Sequence, residues 1–361
     1  MHYLFLLMLF GYLAGNIYLF VRVVEALVAL PLWVRVGVSL LFWVAFAALP
    51  LMLALRNVQL PMAVMRCVSI VGSVWLIFSL YTVVLLLAME AVKRFVPAFG
   101  CPVAAAVAVT IVALIYGYCN YRTNDVVEID VVTDKPLGEP LRIVAVSDIH
   151  LGYNLGRKRF AEYVERIAAL DGDVVLVCGD LIDNSTRPII EEDMLAELSR
   201  LKPRYGIYAV PGNHEYISGI EQCEQLFGQS AVQLLRDSVA TLPCGVRIIG
   251  RDDRTNRHRQ RLSTLVEGLD SVLTIVLDHQ PFDIAESESC GVDIHLSGHT
   301  HNGQVFPLNL LVAAIYDQPC GYRKWSSTHA FVSSGLALWG PPFRIGTRSD
   351  MALITLRSSQ Q

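Results

Sequence analysis

The sequence has no Cys-x-x-Cys pair. Its eight cysteines divide into three in or beside apolar segments (Cys67, Cys101, Cys119) and five further on (Cys178, Cys223, Cys244, Cys290, Cys320). Five is odd, so the later part of the chain implies no complete disulfide framework; Cys178 ends a strand-like run and reads as a small core residue. Internal repeats and low-complexity tracts are also missing, which excludes a solenoid. Charge is the scarcest commodity early in the chain. Residues 1–120 hold six bases (Arg22, Arg35, Arg56, Arg66, Lys93, Arg94) and two acids (Glu25, Glu90), a net of +4. The remaining 23 of 29 bases and 31 of 33 acids lie beyond residue 120, a net of −8 there.

What is abundant is apolar surface. The chain is 53% hydrophobic with a mean hydropathy of +0.45, too apolar for an ordinary soluble enzyme. Four runs, roughly 3–20, 36–55, 67–89 and 101–119, approach the ~20 apolar residues that cross a bilayer core. No ionisable residue stands in the middle of a run, which argues against an ion pathway or a transporter. The first run lacks a basic lead-in and a small-x-small cleavage site, so it reads as a retained anchor. Basic residues are nearly balanced between the two sets of loops, so the positive-inside rule does not orient the module. The expectation is a transmembrane module over 1–120, a linker that could carry an edge strand over 121–140, and a soluble domain over 141–357.

The soluble part alternates short β-rich runs with helix-length segments. "LRIVAVS" (141–147), "DVVLVC" (173–178) and "GIYAV" (206–210) are followed by helical patterns near 159–170, 188–201 and 219–227. Later come "VRIIG", "VLTIVL", "DIHLS", "AFVSS" and "MALITL". This is the pattern of a layered α/β domain. Polar residues gather at the ends of these runs: "SDIH" (147–150), "CGDLID" (178–183), "PGNHEY" (211–216), "LDHQPF" (277–282) and "SGHTH" (297–301). Sites in open α/β sheets form outside the carboxyl ends of strands. Asp148, His150, Asp180, Asn213, His214, His279, His299 and His301 are thereby sent to one rim, and they include five of the nine histidines.

The ordered set D-x-H, G-D-x-x-D, G-N-H-E, H and G-H-x-H resembles the calcineurin-like metallophosphoesterases. The tail, "GHTHNGQVFP" with "SSGLALWGPPFRIGTRSDMALITL", is similar to the membrane-associated or exported bacterial branch, the YkuE-type phosphodiesterases. Asn302 stands where that branch often has glycine, and Arg348-Ser349-Asp350 where it often has Pro-Glu; both departures bear on substrate rather than on metal chemistry. The resemblance implies a four-layer α/β/β/α sandwich of two mixed sheets flanked by helices, behind a four-helix transmembrane module.

Phosphoester hydrolysis needs a strong nucleophile and neutralisation of the phosphate oxygens. Two cations ~3.5–4 Å apart supply both by acidifying a bridging water and clamping the in-line transition state. The resemblance gives one ion Asp148, His150, Asp180 and His301, and the other Asp180, Asn213, His279 and His299, with Asp180 shared. Carboxylate, amide and imidazole without thiolate suit Mn, Fe or Zn. His214 is implied as a hydrogen-bond donor over the phosphate and as general acid to the leaving oxygen. Glu215 and Asp183 are implied to orient ligating or catalytic side chains, Glu215 most naturally steering His214; Asp183 reads equally well as a helix N-cap or turn residue. His258, His295 and His329 keep structural readings. Arg344 is a candidate phosphate contact. The five arginines of "GRDDRTNRHRQRL" (250–262) form either a basic flap over phosphate or a solvated loop.

The function implied is a membrane-anchored, dinuclear metal-dependent phosphohydrolase, a phosphodiesterase using a metal-bridging hydroxide, with its catalytic domain on the extracytoplasmic face. Alternatives are a lipid-directed pyrophosphate or phosphodiester hydrolase working at the bilayer, and a non-catalytic membrane sensor or scaffold. A phosphoester, lipid-linked or not, is the expected partner. Nucleic acid is not, because the domain is acidic and lacks interleaved aromatic and basic residues.

Overall fold

The structure, a computed structural model, describes residues 2–55, 58–95, 102–268 and 272–359. Arg56 and Cys101, counted above, lie outside the described residues. The chain divides into two compact units, one of Met1–Cys119 with Gly340–Phe343 and one of Asn120–Trp339 with Arg344–Gln361.

In the first unit, apolar residues with few breakers run as four helices: α1 His2–Ala26, α2 Leu32–Ala54, α3 Met62–Lys93 and α4 Pro102–Tyr121. Each is long and apolar enough to cross a membrane, and together they give the chain multi-pass membrane character. Small and polar residues face inward between them, because lipid does not reward burial of apolar surface and close packing must hold the helices instead. A Cβ on Gly72 would stand 2.8 Å from Leu49 N, so α2 and α3 approach backbone to backbone there. Trp75 Nε1 donates to Asn16 Oδ1 at 2.9 Å, Thr82 Oγ1 bonds Thr110 Oγ1 at 3.1 Å, and Arg22 pairs with Glu90 near the helix ends.

Among the described residues the second unit has twelve strands: β1 Asn124–Thr133, β2 Leu141–Val146, β3 Val174–Val177, β4 Ile207–Ala209, β5 Val232–Leu234, β6 Ser238–Thr241, β7 Arg247–Gly250, β8 Thr274–Leu277, β9 Ile294–Ser297, β10 Gly321–Trp325, β11 Thr328–Val332 and β12 Ser349–Ser358. They form two six-stranded mixed sheets, ordered β1-β12-β2-β3-β4-β5 and β10-β11-β9-β8-β7-β6. The inner faces meet in a core that includes Ile143, Leu176, Ile248, Ile275, Leu296 and Ile354. Outside the first sheet, helix Arg157–Ala168 buries Phe160, Tyr163, Val164 and Ile167 at helical spacing. Outside the second, Leu262 packs on Ile249 and Val276, and Ile284 on Ala330 and Val332. The result is the expected helix–sheet–sheet–helix layering.

The segment over 121–140 is more than a linker. β1 pairs in parallel with β12 over ten residues, Asn124↔Ser349 to Thr133↔Ser358, and forms the edge of the sheet. The predicted helix near 188–201 is broken into a short helix, Arg187–Glu191, and a 3-10 turn, Met194–Arg200, with Asp193 left-handed between them (φ 48°). β2, β3 and β4 run parallel, as do β7, β8 and β9. Their carboxyl ends can therefore be read as one rim.

Candidate metal centre

The backbone itself turns the rim residues inward. Asp148 (φ 55°), His150 (51°), Asp180 (52°), His299 (72°) and His301 (47°) all occupy the left-handed region. That conformation is uncommon outside glycine, though Asp and His are enriched in it. Each such residue costs roughly 1–3 kcal/mol and persists where surrounding structure over-determines it, typically at functional sites. Glycine before the turn makes the crowding possible. A Cβ on Gly212 would lie 2.1 Å from Asp180 Oδ1, and one on Gly298 would lie 2.3 Å from Asp148 Oδ2.

Three groups of ligand-type atoms result among the described residues: His150, Asp183 and His214 form one, and the other two carry the expected ligands. Of those two, Asp148, His150 and His301 form the first, and Asp180, His279 and His299 the second, each with candidate atoms within 4.8 Å of one another. Asp180 Oδ2 lies 3.2 Å from His279 Nε2 and 3.7 Å from His150 Nε2, so one carboxylate oxygen faces both groups. Asn213 Oδ1 stands 3.2 Å from His279 Nε2. His299 and His301, one residue apart in chain, go to different groups.

The donor set fits two divalent cations. In the first group His150 Nε2 and His301 Nε2 face each other at 3.1 Å, with Asp148 Oδ1 at 3.8 and 3.5 Å. At that distance one ring donates an N–H to the other, or a cation takes both lone pairs. In the second, His279 Nδ1 donates to Cys178 O at 2.8 Å, which fixes the tautomer and leaves Nε2 as an electron-pair donor. Among the described residues, the ion pairs of Asp148 and Asp180 are with histidine alone. Burial pushes both carboxyls up, but the imidazoles around them hold Asp180 well below the ordinary range, and Asp148 likewise.

The neighbouring acids divide the supporting work differently from expectation. Glu215 does not steer His214. Its Oε2 accepts from Gly212 N (2.8 Å) and Asp180 N (3.1 Å) and its Oε1 from Ile182 N (2.8 Å), so it ties the two ligand-bearing turns together. Burial, then the Asp180 charge, push its carboxyl up to about 7. Asp183 is the group that faces His214: Oδ1 lies 3.0 Å from His214 Nδ1 and 3.5 Å from His150 Nδ1. Burial pushes Asp183 up, and the two histidines more than offset it, to about 2. His214 N also donates to Asp180 Oδ1 at 2.9 Å, and its ring meets Trp339 at 6.1 Å.

Arg344 is not available to a phosphate. It is fully buried, and its guanidinium donates to His301 O (2.7 Å), Gly335 O (3.0 Å) and Ser334 O. It holds the turn that presents His301. The 250–262 segment is a loop leading into the short helix Leu262–Leu265, with Arg254, Arg257 and Arg261 exposed and its inner part anchored by acids. Arg251 is 3% exposed and reaches Asp278 (3.1 Å) and Glu286 (2.8 Å); Arg259 pairs with Asp278 and Asp283, and Arg254 with Asp283. His295 bonds Ser287 (2.7 Å) and Ser297 (2.8 Å), and His329 bonds Tyr322 (2.8 Å), as structural residues do. His258 is exposed.

Comparison with known proteins agrees with this geometry. Residues 141–303 match the calcineurin-like phosphoesterase family. An uncharacterized metallophosphoesterase of Helicobacter pylori is 36% identical over 242 residues, 65% of this chain and 64% of that protein. A transmembrane protein with metallophosphoesterase domain of Danio rerio is 32% identical over 275 residues, 70% of this chain and 62% of that one. The chain thus spans less than two thirds of the length of these two relatives. It covers more of an uncharacterized metallophosphoesterase of Aquifex aeolicus, 30% identical over 62% of this chain and 88% of that protein. By its strand-end motifs, its two ligand groups and these relatives, this chain belongs to the calcineurin-like metallophosphoesterases.

Proposed function

We propose that the protein is a membrane-anchored, dinuclear metal-dependent phosphohydrolase acting on phosphodiesters. The observation that carries the reading is Asp180, a buried carboxylate facing both ligand groups through one oxygen. Asp148, His150, Asp180 and His301 would hold one divalent ion, and Asp180, Asn213, His279 and His299 the other. When bound, such a pair supplies charge neutralisation for phosphate oxygens and lowers the pKa of water.

The protein's own residues do the rest. Asp183, 3.0 Å from His214 Nδ1, would orient that ring so that Nε2 donates a proton to the leaving oxygen. Glu215 and Asp183 are positioning residues: the first fixes the backbone of Asp180, the second the rings of His150 and His214. Buried walls exclude water around them, which strengthens each electrostatic contact. The resemblance of the tail to YkuE-type enzymes favours a diester over a monoester and the extracytoplasmic face over the cytoplasmic one.

The test is to strip the full-length protein with chelator, then add back Mn, Fe or Zn singly. Metal content should return to two ions per chain, and hydrolysis of bis(p-nitrophenyl) phosphate should return with it. Full activity at one ion per chain, or without divalent ions, would overturn the reading.

A further inference from the structure

The turn that presents His301 continues into an element with no evident role in either ligand group. Helix Leu308–Ile315 reads LNLLVAAI, with no charged residue and none buried. Leu308, Leu310, Leu311 and Ile315 are 42%, 59%, 59% and 53% exposed. Contiguous apolar surface of this kind marks an interaction site. A helix apolar on all sides belongs in an apolar phase rather than in water.

Both ends of this helix are fixed to informative places. Before it, Phe306 N donates to Ile345 O at 2.7 Å, and Thr347 Oγ1 donates to Gln304 O at 2.7 Å. The same strip, residues 344–347, accepts Asn120 Nδ2 at Arg344 O (3.0 Å) and Thr347 O (2.9 Å). Asn120 lies in the last turn of α4, the last of the four apolar helices. After it, the Tyr316 ring stands 4.6 Å from Phe282 and 6.4 Å from His299. The exposed helix thus ends beside a ligand-type histidine. Between α4 and β1 lie only Arg122 and Thr123, a reach of about 7 Å. The first strand of the soluble domain thus begins within two residues of the last apolar helix.

We infer that Leu308–Ile315 seats in the interfacial layer of the bilayer and holds the two ligand groups at the depth of lipid headgroup phosphates. The substrate class that follows is a phosphoester carried on a lipid anchor, a step that rests on the hydrolase reading above; the docking itself does not. The bilayer suits this surface better than a second copy of the chain. Stable protein interfaces surround an apolar centre with a polar rim, and this helix has Asn309 as its one polar residue. Tyr316 at its end is the residue type that favours the headgroup level.

Full-length protein carrying Leu311→p-benzoylphenylalanine is reconstituted in vesicles of phosphatidylcholine with 20% phosphatidylglycerol (about that fraction, to mimic an anionic surface) and irradiated. Lipid adducts on residue 311 are expected, and none on the same group at Ile190, exposed elsewhere on the domain. Cross-links to a second chain, or no lipid adduct, would overturn the docking. In parallel, Leu310→Ser/Leu311→Ser should cut hydrolysis of a vesicle-borne phosphodiester lipid at least tenfold and leave bis(p-nitrophenyl) phosphate hydrolysis unchanged. Equal loss on both esters would mean damage to the site rather than lost docking. Lipid adducts on an enzyme inert toward both esters would refute the hydrolase reading and spare the docking.

Discussion

Asp278 and Asp180 are both buried carboxylates just past the end of a central strand, yet the protein treats them in opposite ways. Asp278 is answered from within: Arg251 lies at 3.1 Å and Arg259 at 3.0 Å. Among the described residues the ion pairs of Asp180 are with imidazoles, His279 at 3.2 Å and His150 at 3.7 Å, and its other oxygen accepts only a backbone N–H, that of His214. A buried charge without a partner is costly, so a fold that supplies two guanidinium groups at one position and none at the other marks where an external cation belongs. The next residue sharpens the contrast. His279 turns away from the arginine nest and bonds Cys178 O and Asn213. The strand end is a partition between structural charge and chemical charge.

Substitutions can break that partition on either side. Asp180→Asn removes the charge shared by the two ligand groups and should lower turnover by about 10³-fold or more, the scale of a lost electrostatic anchor in a water-excluded site. Metal content by atomic emission should fall with it; retention of two ions would contradict the shared role. Asp278→Asn removes the fully buried acid that Arg251 and Arg259 share, leaving them Glu286 and Asp283, and should cost about 1–3 kcal/mol of stability, read as a lowered denaturation midpoint, with both ions retained below the transition. His214→Gln should reduce turnover about 10²-fold at unchanged metal content. Parallel loss of metal would make His214 a ligand instead.

The smallest expected effect is a pH dependence on the structural side. Burial, then the Arg251 charge, push the His295 imidazole down to about 3. The unfolded chain takes up a proton near 6.5, so this histidine begins to destabilise the fold as pH drops below that value, and the penalty grows until about pH 3. At pH 5 it amounts to about 2 kcal/mol. His295→Gln should therefore narrow the stability gap between pH 7 and pH 5 relative to the parent protein. An equal gap in both would show that His295 does not titrate in this range.

Much of the site was legible because its chemistry is written at strand ends. Asp148, His150, Asp180, Asn213, His279, His299 and His301 each follow a short β-rich run, and the folded chain gathers all seven at one rim. What could not be read was the partner of each supporting group. Glu215 follows His214 directly, yet its carboxylate points to backbone N–H groups thirty-odd residues upstream. Arg344, Arg251, Arg254 and Arg259 look like phosphate binders by residue type, but their partners are carbonyls and acids supplied by distant turns. Asp183 was ambiguous for the same reason, since a cap and an orienting acid share one local pattern. An edge strand over 121–140 was legible, but its partner was not, because that mate lies more than two hundred residues away and no local periodicity encodes such a pairing.

That pairing has a consequence for biosynthesis. Among the named strands β1 bonds only β12, and β12 also fills the gap between β1 and β2. The first strand emerges from the ribosome just after the last apolar helix, then waits for residue 358. At roughly 5–20 residues per second that delay is on the order of ten to fifty seconds. Throughout it, β1 offers unpaired backbone groups, a surface open to wrong partners, and the first sheet cannot close. The first sheet is therefore completed only once residue 358 has been made, after the apolar helices have long since emerged.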